Sequence, residues 1–403
     1  MAQDKPAEGA LPAPADLLPP LRRVGGIEQG ALRLVWNGHS HTLGGERAGP
    51  SGELHINRSL RLARKLAVNG EIGFAEGYMD GDWDSPDLAA LLLSLARNER
   101  AFAALGSGSL LHRAATWLRH RVNRNSKGGS RRNIAYHYDL GNDFYRLWLD
   151  PGMAYSSALY RAHDEDLESA QERKYARLLG LLDAKPGEHI LEIGCGWGGM
   201  ALRLARAGLR VTALTLSQEQ LADARDQIER EGLTGRVEVR LQDYREVRGT
   251  FDHVVSIEMF EAVGEAYWPQ YMETLARCLR PGGRAALQII TIDEPYFEGY
   301  RGRPDFIQRY IFPGGMLPSP ERFEQAAQAA GLAVTERSFH GGDYARTLAD
   351  WHRRFVDQTE AVAALGFDPR FQRMWRYYLA YCEAGFRDGR IDLMQVRLEK
   401  PAV

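Results

Sequence analysis

A glycine-rich segment is the clearest chemical signal in this sequence of 403 residues. Gly194, Cys195, Gly196, Trp197 and Gly198 follow a short apolar run, residues 189–193, and precede a helical pattern. Glycines at a strand-to-helix turn let the backbone approach a ligand with no Cβ atom in between. Such a pattern also occurs for structural reasons alone. Glu192, directly before it, adds an acidic group, and this context predicts a ligand site.

Polar residues follow the next two predicted strands, residues 210–214 and 237–241. They are Thr215, Leu216, Ser217 and Gln220 after the first, and Gln242, Asp243 and Tyr244 after the second. A dinucleotide site would need an acidic residue after the first of these strands to hold the ribose. Neutral residues stand there, so the pattern favours a nucleoside pocket of another kind, with Asp243 as acceptor and Tyr244 as aromatic face. A helix N-cap is the alternative for Asp243.

Strands and helices alternate in the second half of the chain. Further apolar runs cover residues 253–257 and 285–291, and helical patterns cover residues 200–207, 218–231 and 268–279. This alternation predicts a mainly parallel sheet with helices on both faces and a site at the carboxyl ends of its strands. Pro281, Gly282 and Gly283 are expected to end a helix before the fifth strand.

Length and composition predict two domains. We expect a disordered tail at residues 1–25, a small α+β domain at 26–105, a basic linker at 106–132 and a catalytic domain at 133–403. In the small domain, residues 32–36 resemble a strand, and residues 58–68 and 87–96 resemble helices.

Composition also excludes several classes of protein. A net charge of −2 argues against a bulk nucleic-acid binder. Cys195, Cys278 and Cys382 form neither a metal-ligand pair nor a disulfide framework, so we expect no metal site and a reducing cytoplasm. The longest apolar run, residues 88–95, is far shorter than the roughly 20 residues that span a bilayer.

Several longer motifs resemble those of cyclopropane-fatty-acid synthases, which are S-adenosylmethionine-dependent methyltransferases. The motifs are residues 76–81, 137–144, 155–158, 192–199, 215–220, 242–245, 260–264, 310–319 and 343–344. The resemblance covers residues 133 to the end, and more loosely the small domain. It implies an α/β, class I methyltransferase-like fold, with a doubly wound, mainly parallel seven-stranded sheet and helical additions. It also implies that the small N-terminal α+β domain serves dimerisation and lipid engagement.

The resemblance also implies the ligands. S-adenosylmethionine, the methyl donor, would be held by Tyr155, Ser156, Glu192, Gly194, Cys195, Gly196, Trp197, Gly198, Thr215, Leu216, Ser217, Gln220, Gln242 and Asp243. A bound bicarbonate would take a proton from the carbocation that methyl transfer leaves. Glu261, Tyr344 and the backbone of Ile290 would hold that bicarbonate. The alternatives are a helix-start carboxylate for Glu261 and a packed tyrosine for Tyr344.

Two positions depart from the bacterial pattern of the family. Ser157 replaces a cysteine and Gln288 replaces a histidine. A serine hydroxyl can donate to an anion, whereas the amide of Gln288 donates but takes no proton near neutral pH. We expect activity to survive both changes, while a methyl or methylene branch remains an alternative to the cyclopropane product.

The expected substrate is the unsaturated acyl chain of a membrane phospholipid. The resemblance implies a cytoplasmic homodimer that associates peripherally with the inner face of the membrane, with no nucleic-acid partner. A methyltransferase for a soluble small molecule and a non-catalytic lipid- or nucleoside-binding protein are the alternatives. Aromatic residues in the 296–311 segment favour the lipid substrate by forming an apolar channel wall, although core packing is equally compatible with their spacing. They are Tyr296, Tyr300, Phe306 and Tyr310.

A basic stretch joins the two predicted domains. Residues 101–138 contain no acidic residue but many arginines, interleaved with Leu110, Leu111, Trp117, Leu118 and Val122. The stretch is either a solvated connector or an interfacial helix that binds an anionic membrane surface.

Neutralising Arg119, Arg121, Arg124, Arg131 and Arg132 together should weaken binding to anionic vesicles far more than binding to neutral ones. Each basic residue near an anionic surface adds roughly 1 kcal/mol, and salt screens the attraction beyond about 10 Å. Co-sedimentation across a salt series with both lipid compositions measures this effect. If the variant sediments with anionic vesicles as well as its parent, the stretch is only a connector.

Overall fold

The computed structural model describes residues 26–106 and 140–402. The predicted tail, nearly all of the predicted linker, and the motif residues His137 and Tyr138 lie outside these ranges. The described residues form two compact units. One contains residues 26–106 together with Asp368–Asp388, and the other contains residues 140–367 and Gly389 onward.

The smaller unit is a four-stranded sheet covered by helices. Its strands are β1 (Gln29–Trp36), β2 (His39–Gly44), β3 (Arg47–Ile56) and β4 (Trp83–Asp84), in the order β2-β1-β3-β4. β1 pairs antiparallel with β2 and parallel with β3. The helices are Ser59–Asn69, Glu71–Met79, Leu88–Arg97, Glu99–Gly106 and Pro369–Asp388. The strand and two helices predicted in this region are all present, each within a few residues of its expected bounds.

The helix Pro369–Asp388 corrects the predicted domain division, which placed it in the catalytic domain. Arg373 of this helix lies 3.9 Å from the centre of the Tyr78 ring, and its guanidinium donates to the carbonyl of Trp83 at 2.9 Å and to the Asp84 carboxylate at 3.0 Å. These contacts tie a segment late in the chain to the first domain. The predicted division treats each domain as continuous, whereas this segment packs with the first unit.

The larger unit is built on a seven-stranded sheet in the order β10-β11-β9-β8-β5-β6-β7. Its strands are β5 (His189–Ile193), β6 (Arg210–Thr215), β7 (Val237–Leu241), β8 (Phe251–Ile257), β9 (Leu279–Ile292), β10 (Ala333–Phe339) and β11 (Ile391–Glu399). β5 to β9 pair in parallel, whereas β11 runs antiparallel to both β9 and β10. The chain order reverses at β5, and open α/β sheets bind ligands beyond the carboxyl end of such a strand.

Helices surround this sheet. They are Asn142–Arg146, Leu167–Leu182, Gly199–Arg206, Gln218–Arg230, Phe260–Val263, Trp268–Cys278, Glu294–Gly302, Phe306–Tyr310, Pro320–Ala329, Gly341–Asp357 and Thr359–Ala364, with short 3₁₀ turns at Tyr244–Glu246 and Glu265–Tyr267. None of the helices in the described ranges is long and apolar enough to cross a membrane.

The predicted α/β fold is confirmed, and all five predicted parallel strands are present. Ile190, Leu191 and Ile193 of β5 are buried on both faces of the sheet, which explains the apolar run that predicted the strand. β9 differs from the prediction. It begins at Leu279, so the Pro281 turn lies inside the assigned strand, where the register against β8 also shifts.

Candidate active site

The glycine segment begins where β5 ends. Gly194, Gly196 and Gly198 have φ angles of +81°, +54° and +92°, a region that other residues seldom adopt. A Cβ atom at Gly194 would lie 3.1 Å from Met259 Cγ, whereas one at Gly196 would have no heavy atom within 4 Å. The backbone N–H of Cys195 donates to the carbonyl of Leu214 at 2.8 Å and ties the segment to β6. Gly196 therefore borders open space at the sheet edge.

Glu192, the last residue but one of β5, is 2% exposed. Its Oε2 atom has no hydrogen-bond partner among the described residues. Burial raises the pKa of Glu192 to about 8, although the nearby Lys174 ammonium acts in the opposite direction. A ligand with a positive charge or a hydrogen-bond donor would satisfy this oxygen and lower that pKa.

Lys174 is a fully buried lysine that the sequence analysis missed. Burial lowers the pKa of its ammonium to about 8. The ammonium donates to Ser156 Oγ at 2.7 Å and to Gln171 Oε1 at 2.6 Å. The predicted ligand residue Ser156 therefore holds a buried cation. No sequence pattern marked Lys174, because a lysine in an amphipathic helix is normally exposed.

The segment after β6 folds as a small polar network. Thr215 Oγ1 donates to Gln220 Oε1 at 2.8 Å and accepts the backbone N–H of Ser217 at 3.1 Å. Ser217 caps the helix Gln218–Arg230, and Leu216 is partly buried between them. The backbone N–H of Gln242 donates to the Thr215 carbonyl at 3.1 Å, which brings the ends of β6 and β7 together.

Asp243 and Tyr244 have partners other than those expected. Asp243 forms a buried ion pair with Arg245 at 2.6 Å and caps the 3₁₀ turn Tyr244–Glu246, so the capping alternative describes its contacts. The Tyr244 ring lies in the core, 5.1 Å from the Tyr271 ring. One neighbour of the Tyr244 ring is therefore a core tyrosine, and its role as the aromatic face of a nucleoside pocket stays a prediction.

Two aromatic residues of the predicted ligand set belong to one cluster of rings. Tyr155 and Trp197 both lie beside Tyr145, with ring centres 5.4 and 5.1 Å away. The Trp197 indole N–H donates to Asn142 Oδ1 at 2.7 Å. These contacts hold Trp197 of the glycine segment in place.

Glu258, the residue after β8, is at the centre of the most polar part of the site, and the sequence analysis missed it. Its Oε1 atom accepts the backbone N–H of Ser157 at 2.8 Å and the amide of Gln288 at 2.8 Å. Its Oε2 atom accepts the hydroxyl of Tyr344 at 2.6 Å. Tyr344 and the two positions that depart from the family pattern thus surround a carboxylate of the chain itself.

The contacts of Gln288 and Ser157 explain this arrangement. The amide of Gln395 donates to Gln288 Oε1 at 2.8 Å, which leaves the NH₂ group of Gln288 directed at Glu258. The Ser157 hydroxyl donates to the carbonyl of Ala158 at 2.9 Å. The donor from Ser157 to the Glu258 carboxylate is therefore its backbone N–H and not its hydroxyl.

Glu261 lies three residues further along the chain and is also buried. Its Oε1 atom accepts the backbone N–H of Ile290, the group that the resemblance implies as a contact to bicarbonate. Its Oε2 atom has no hydrogen-bond partner in the described part of the chain. Burial, and secondarily the charge of Glu258, raise the pKa of Glu261 to about 8.

The two carboxyl groups differ in charge state. Burial also raises the pKa of Glu258, but hydrogen bonds from Tyr344, Ser157 and Gln288 favour its ionised form. Like charges this close disfavour double ionisation. The donors around Glu258 favour its ionised form, whereas Glu261, with a pKa of about 8, is mostly protonated at neutral pH.

The aromatic residues of the 296–311 segment divide between core and surface. Phe306 is 4% exposed and packs against Tyr310, whereas Tyr296 is 40% exposed. Tyr300 packs against the core cluster. Core packing thus describes Phe306 and Tyr300.

Comparison with known proteins identifies the family of the chain. The sequence profile of the family described as "Mycolic acid cyclopropane synthetase" matches residues 125–396. The chain belongs to this family. The match contains all of the residues described above at the glycine segment and around the two carboxyl groups. As a member of the mycolic acid cyclopropane synthetase family, the chain is a methyltransferase with the class I S-adenosylmethionine-dependent fold.

Individual relatives cover most of the chain. Tuberculostearic acid methyltransferase UfaA1 of Mycobacterium tuberculosis is 40% identical over 379 residues, which is 90% of this chain and 86% of the relative. Cyclopropane-fatty-acyl-phospholipid synthase of Escherichia coli K12 is 35% identical over 338 residues, 83% of this chain and 84% of the relative. The crystal structure of mycolic acid cyclopropane synthase CmaA1 complexed with SAH and CTAB has a TM-score of 0.63 at 32% identity, covering 67% of this chain and 98% of that one.

The residues present fit S-adenosylmethionine. A buried acidic oxygen of Glu192 lacks a partner among the described residues, and the space beside Gly196 is open. A methyl donor with a cationic sulfur and an ammonium group suits an acidic oxygen at this edge of the sheet.

Gly196→Val should lower the affinity for S-adenosylmethionine by at least about tenfold, which is about 1.4 kcal/mol. The branched side chain would fill the open space beside Gly196, and a positive φ costs a non-glycine residue roughly 1–2 kcal/mol of stability. Titration calorimetry measures the affinity.

Gly232→Val is a matched control, because Gly232 also has a positive φ (+68°) and open surroundings, but follows the helix Gln218–Arg230. It should lose similar stability and keep its affinity. Equal affinities of the two variants would exclude the glycine segment from the binding site.

Proposed function

We propose that the protein transfers the methyl group of S-adenosylmethionine to a double bond of an unsaturated fatty-acyl chain in a membrane phospholipid. A cyclopropane ring is the first candidate product. The single observation that carries the proposal is the carboxyl pair, Glu258 and Glu261, at the same sheet edge as the glycine segment of a methyltransferase. Proteins named as fatty-acyl-phospholipid synthases and fatty-acid methyltransferases are among its relatives.

The chemistry requires both parts of this site. S-adenosylmethionine supplies a methyl group already activated on a sulfonium, which an alkene, a poor nucleophile, needs. The glycine segment and Glu192 position that group, and proximity is the main contribution the chain makes to this step. The alkene becomes a carbocation, so the chain must then exclude water and provide a base.

Bicarbonate does not fit as that base. Tyr344, which the resemblance implies for holding it, already donates to Glu258, and so do the two departing positions, Ser157 and Gln288. The Ile290 N–H donates to Glu261. A second anion at this position would lie against the Glu258 carboxylate, so the proposal contains no bicarbonate step.

A methyl or methylene branch is the second candidate product. The presence of Glu258 in the site supports this alternative. Loss of a proton from the transferred methyl group closes a ring, whereas loss from a neighbouring chain carbon leaves a methyl branch beside a double bond. A hydride shift to the cation, followed by proton loss from the methyl group, leaves a methylene branch. A base fixed to the chain selects whichever proton it faces. We further propose that the protein is a homodimer associated with the cytoplasmic face of the membrane. The family resemblance and the basic stretch at residues 101–138 support this proposal.

Mass spectrometry of lipids tests the proposal directly. Cells that express the chain are fed methyl-labelled methionine, and their lipids are compared with those of cells that express Gly196→Val. The proposal expects label in phospholipid acyl chains, with the fragmentation pattern distinguishing ring from branch. Label only in a soluble product would favour the alternative substrate class.

Glu261→Gln should reduce turnover less than about threefold at pH 7, whereas Glu261→Ala should reduce it at least about tenfold. Because the pKa of Glu261 is raised to about 8, the group is neutral below that pH and an amide resembles it. Alanine removes the acceptor of the buried Ile290 N–H, which costs about 1–3 kcal/mol. The pH profiles of wild type and Glu261→Gln should separate above about pH 8, where only the carboxyl ionises.

Turnover on unsaturated phospholipid vesicles from pH 6 to 9 measures these effects. A Glu261→Gln variant as slow as Glu261→Ala at pH 7 would mean that the ionised form is required.

A further inference from the structure

Glu258 has the surroundings of a bound anion but belongs to the chain. Its two carboxylate oxygens receive donors from three separate elements: Ser157 before the helix Leu167–Leu182, Gln288 of β9 and Tyr344 of the helix Gly341–Asp357. We propose that Glu258 is the catalytic base of the reaction and removes the proton from the carbocation, so that turnover needs no bicarbonate. This inference rests on the proposed function.

The proton balance of this step is complete. The π electrons of the alkene form the new C–C bond as the C–S bond breaks, and the pair of that bond stays on sulfur. Glu258 then takes a proton, and the electrons of the broken C–H bond close the ring or form a new double bond. The carboxylate becomes a neutral acid, which releases its proton to solvent after the product leaves.

The neighbouring charges suit this role. Tyr344, Glu261 and Lys174 are the titratable groups that influence Glu258 from the helices around it. Tyr344 and the Lys174 ammonium favour the ionised form, and the protonated Glu261 adds no competing charge at neutral pH. Burial makes the carboxylate more basic than one in water. A base must be ionised before the reaction and basic enough to take a proton during it.

The backbone at Glu258 supports the inference independently. Its φ angle is +49°, which is costly for a residue with a long side chain. Strained residues persist where the surrounding structure over-determines them, and they cluster at functional sites. From this backbone the side chain reaches the three donors. Glycine adopts a positive φ angle without strain, so a Glu258→Gly variant is expected to fold.

The first experiment measures wild-type turnover in buffer scrubbed of carbon dioxide and again after addition of bicarbonate. Phospholipid vesicles and labelled S-adenosylmethionine are the substrates, and lipid label is the readout. The inference expects the two rates to agree within about twofold. Chloride at the same ionic strength is the control for the added salt.

Two variants distinguish the loss of the basic group from the loss of the volume that its side chain fills. Glu258→Gln keeps the shape but cannot take the proton, so turnover should fall about 10²–10⁴-fold while S-adenosylmethionine still binds. Glu258→Gly should be equally slow in scrubbed buffer, but it leaves a gap lined by the three donors. Bicarbonate or formate should restore its turnover saturably, by at least about tenfold, and should not restore Glu258→Gln, which has no gap.

The outcomes distinguish the two proposals. Wild-type transfer that stops in scrubbed buffer and returns with bicarbonate overturns the inference alone. Normal turnover of Glu258→Gln, with S-adenosylmethionine bound, overturns it as well. If wild type labels no acyl chain under any condition, the proposed function fails and this inference fails with it.

Discussion

Burial of two carboxyl groups next to each other is the constraint on which the site depends. Removing a carboxylate from water is costly unless donors replace the lost hydration. Glu258 receives such donors, whereas Glu261 receives only the N–H of Ile290 and is left with one oxygen unpartnered in the described structure. The unequal supply of donors decides which group carries the charge. A negative charge localised on Glu258 follows from this inequality.

The scaffold explains why the donors meet. β8 and β9 are parallel neighbours, so Glu258 and Gln288 emerge at the same edge of the sheet. β11 runs antiparallel beside β9, with Gln395 opposite Gln288, and this pairing fixes the amide that faces Glu258. A change in register between β9 and β11 would turn that amide and would remove a donor from the carboxylate. The antiparallel end of the sheet thus contributes to the chemistry at its parallel centre.

The sequence predicted the parallel strands and the glycine segment well because both are local patterns. The apolar run of β5 and the glycines after it carry their own physical reasons, burial on both faces and positive φ. Residues whose roles depend on distant partners were harder to interpret. The sequence left both a ligand role and a capping role open for Asp243, and its ion pair with Arg245 was not predictable from it. The Ser157 hydroxyl donates to the carbonyl of the next residue in the chain. The helix Pro369–Asp388 joins a domain that is distant in sequence, which no local pattern indicates.

Glu258 was missed for a different reason. The family resemblance directed attention to residues that match its pattern, and an acidic residue directly after β8 belonged to none of the matched motifs. One general signal was available, because carboxyl ends of parallel strands in such sheets gather at the ligand site. By that rule Glu258, which directly follows β8, is as strong a candidate as Glu192 near the end of β5. The same rule relates the two acids physically, since Lys174 lies close enough to influence both. One buried ammonium thus favours the ionised form of both carboxyl groups.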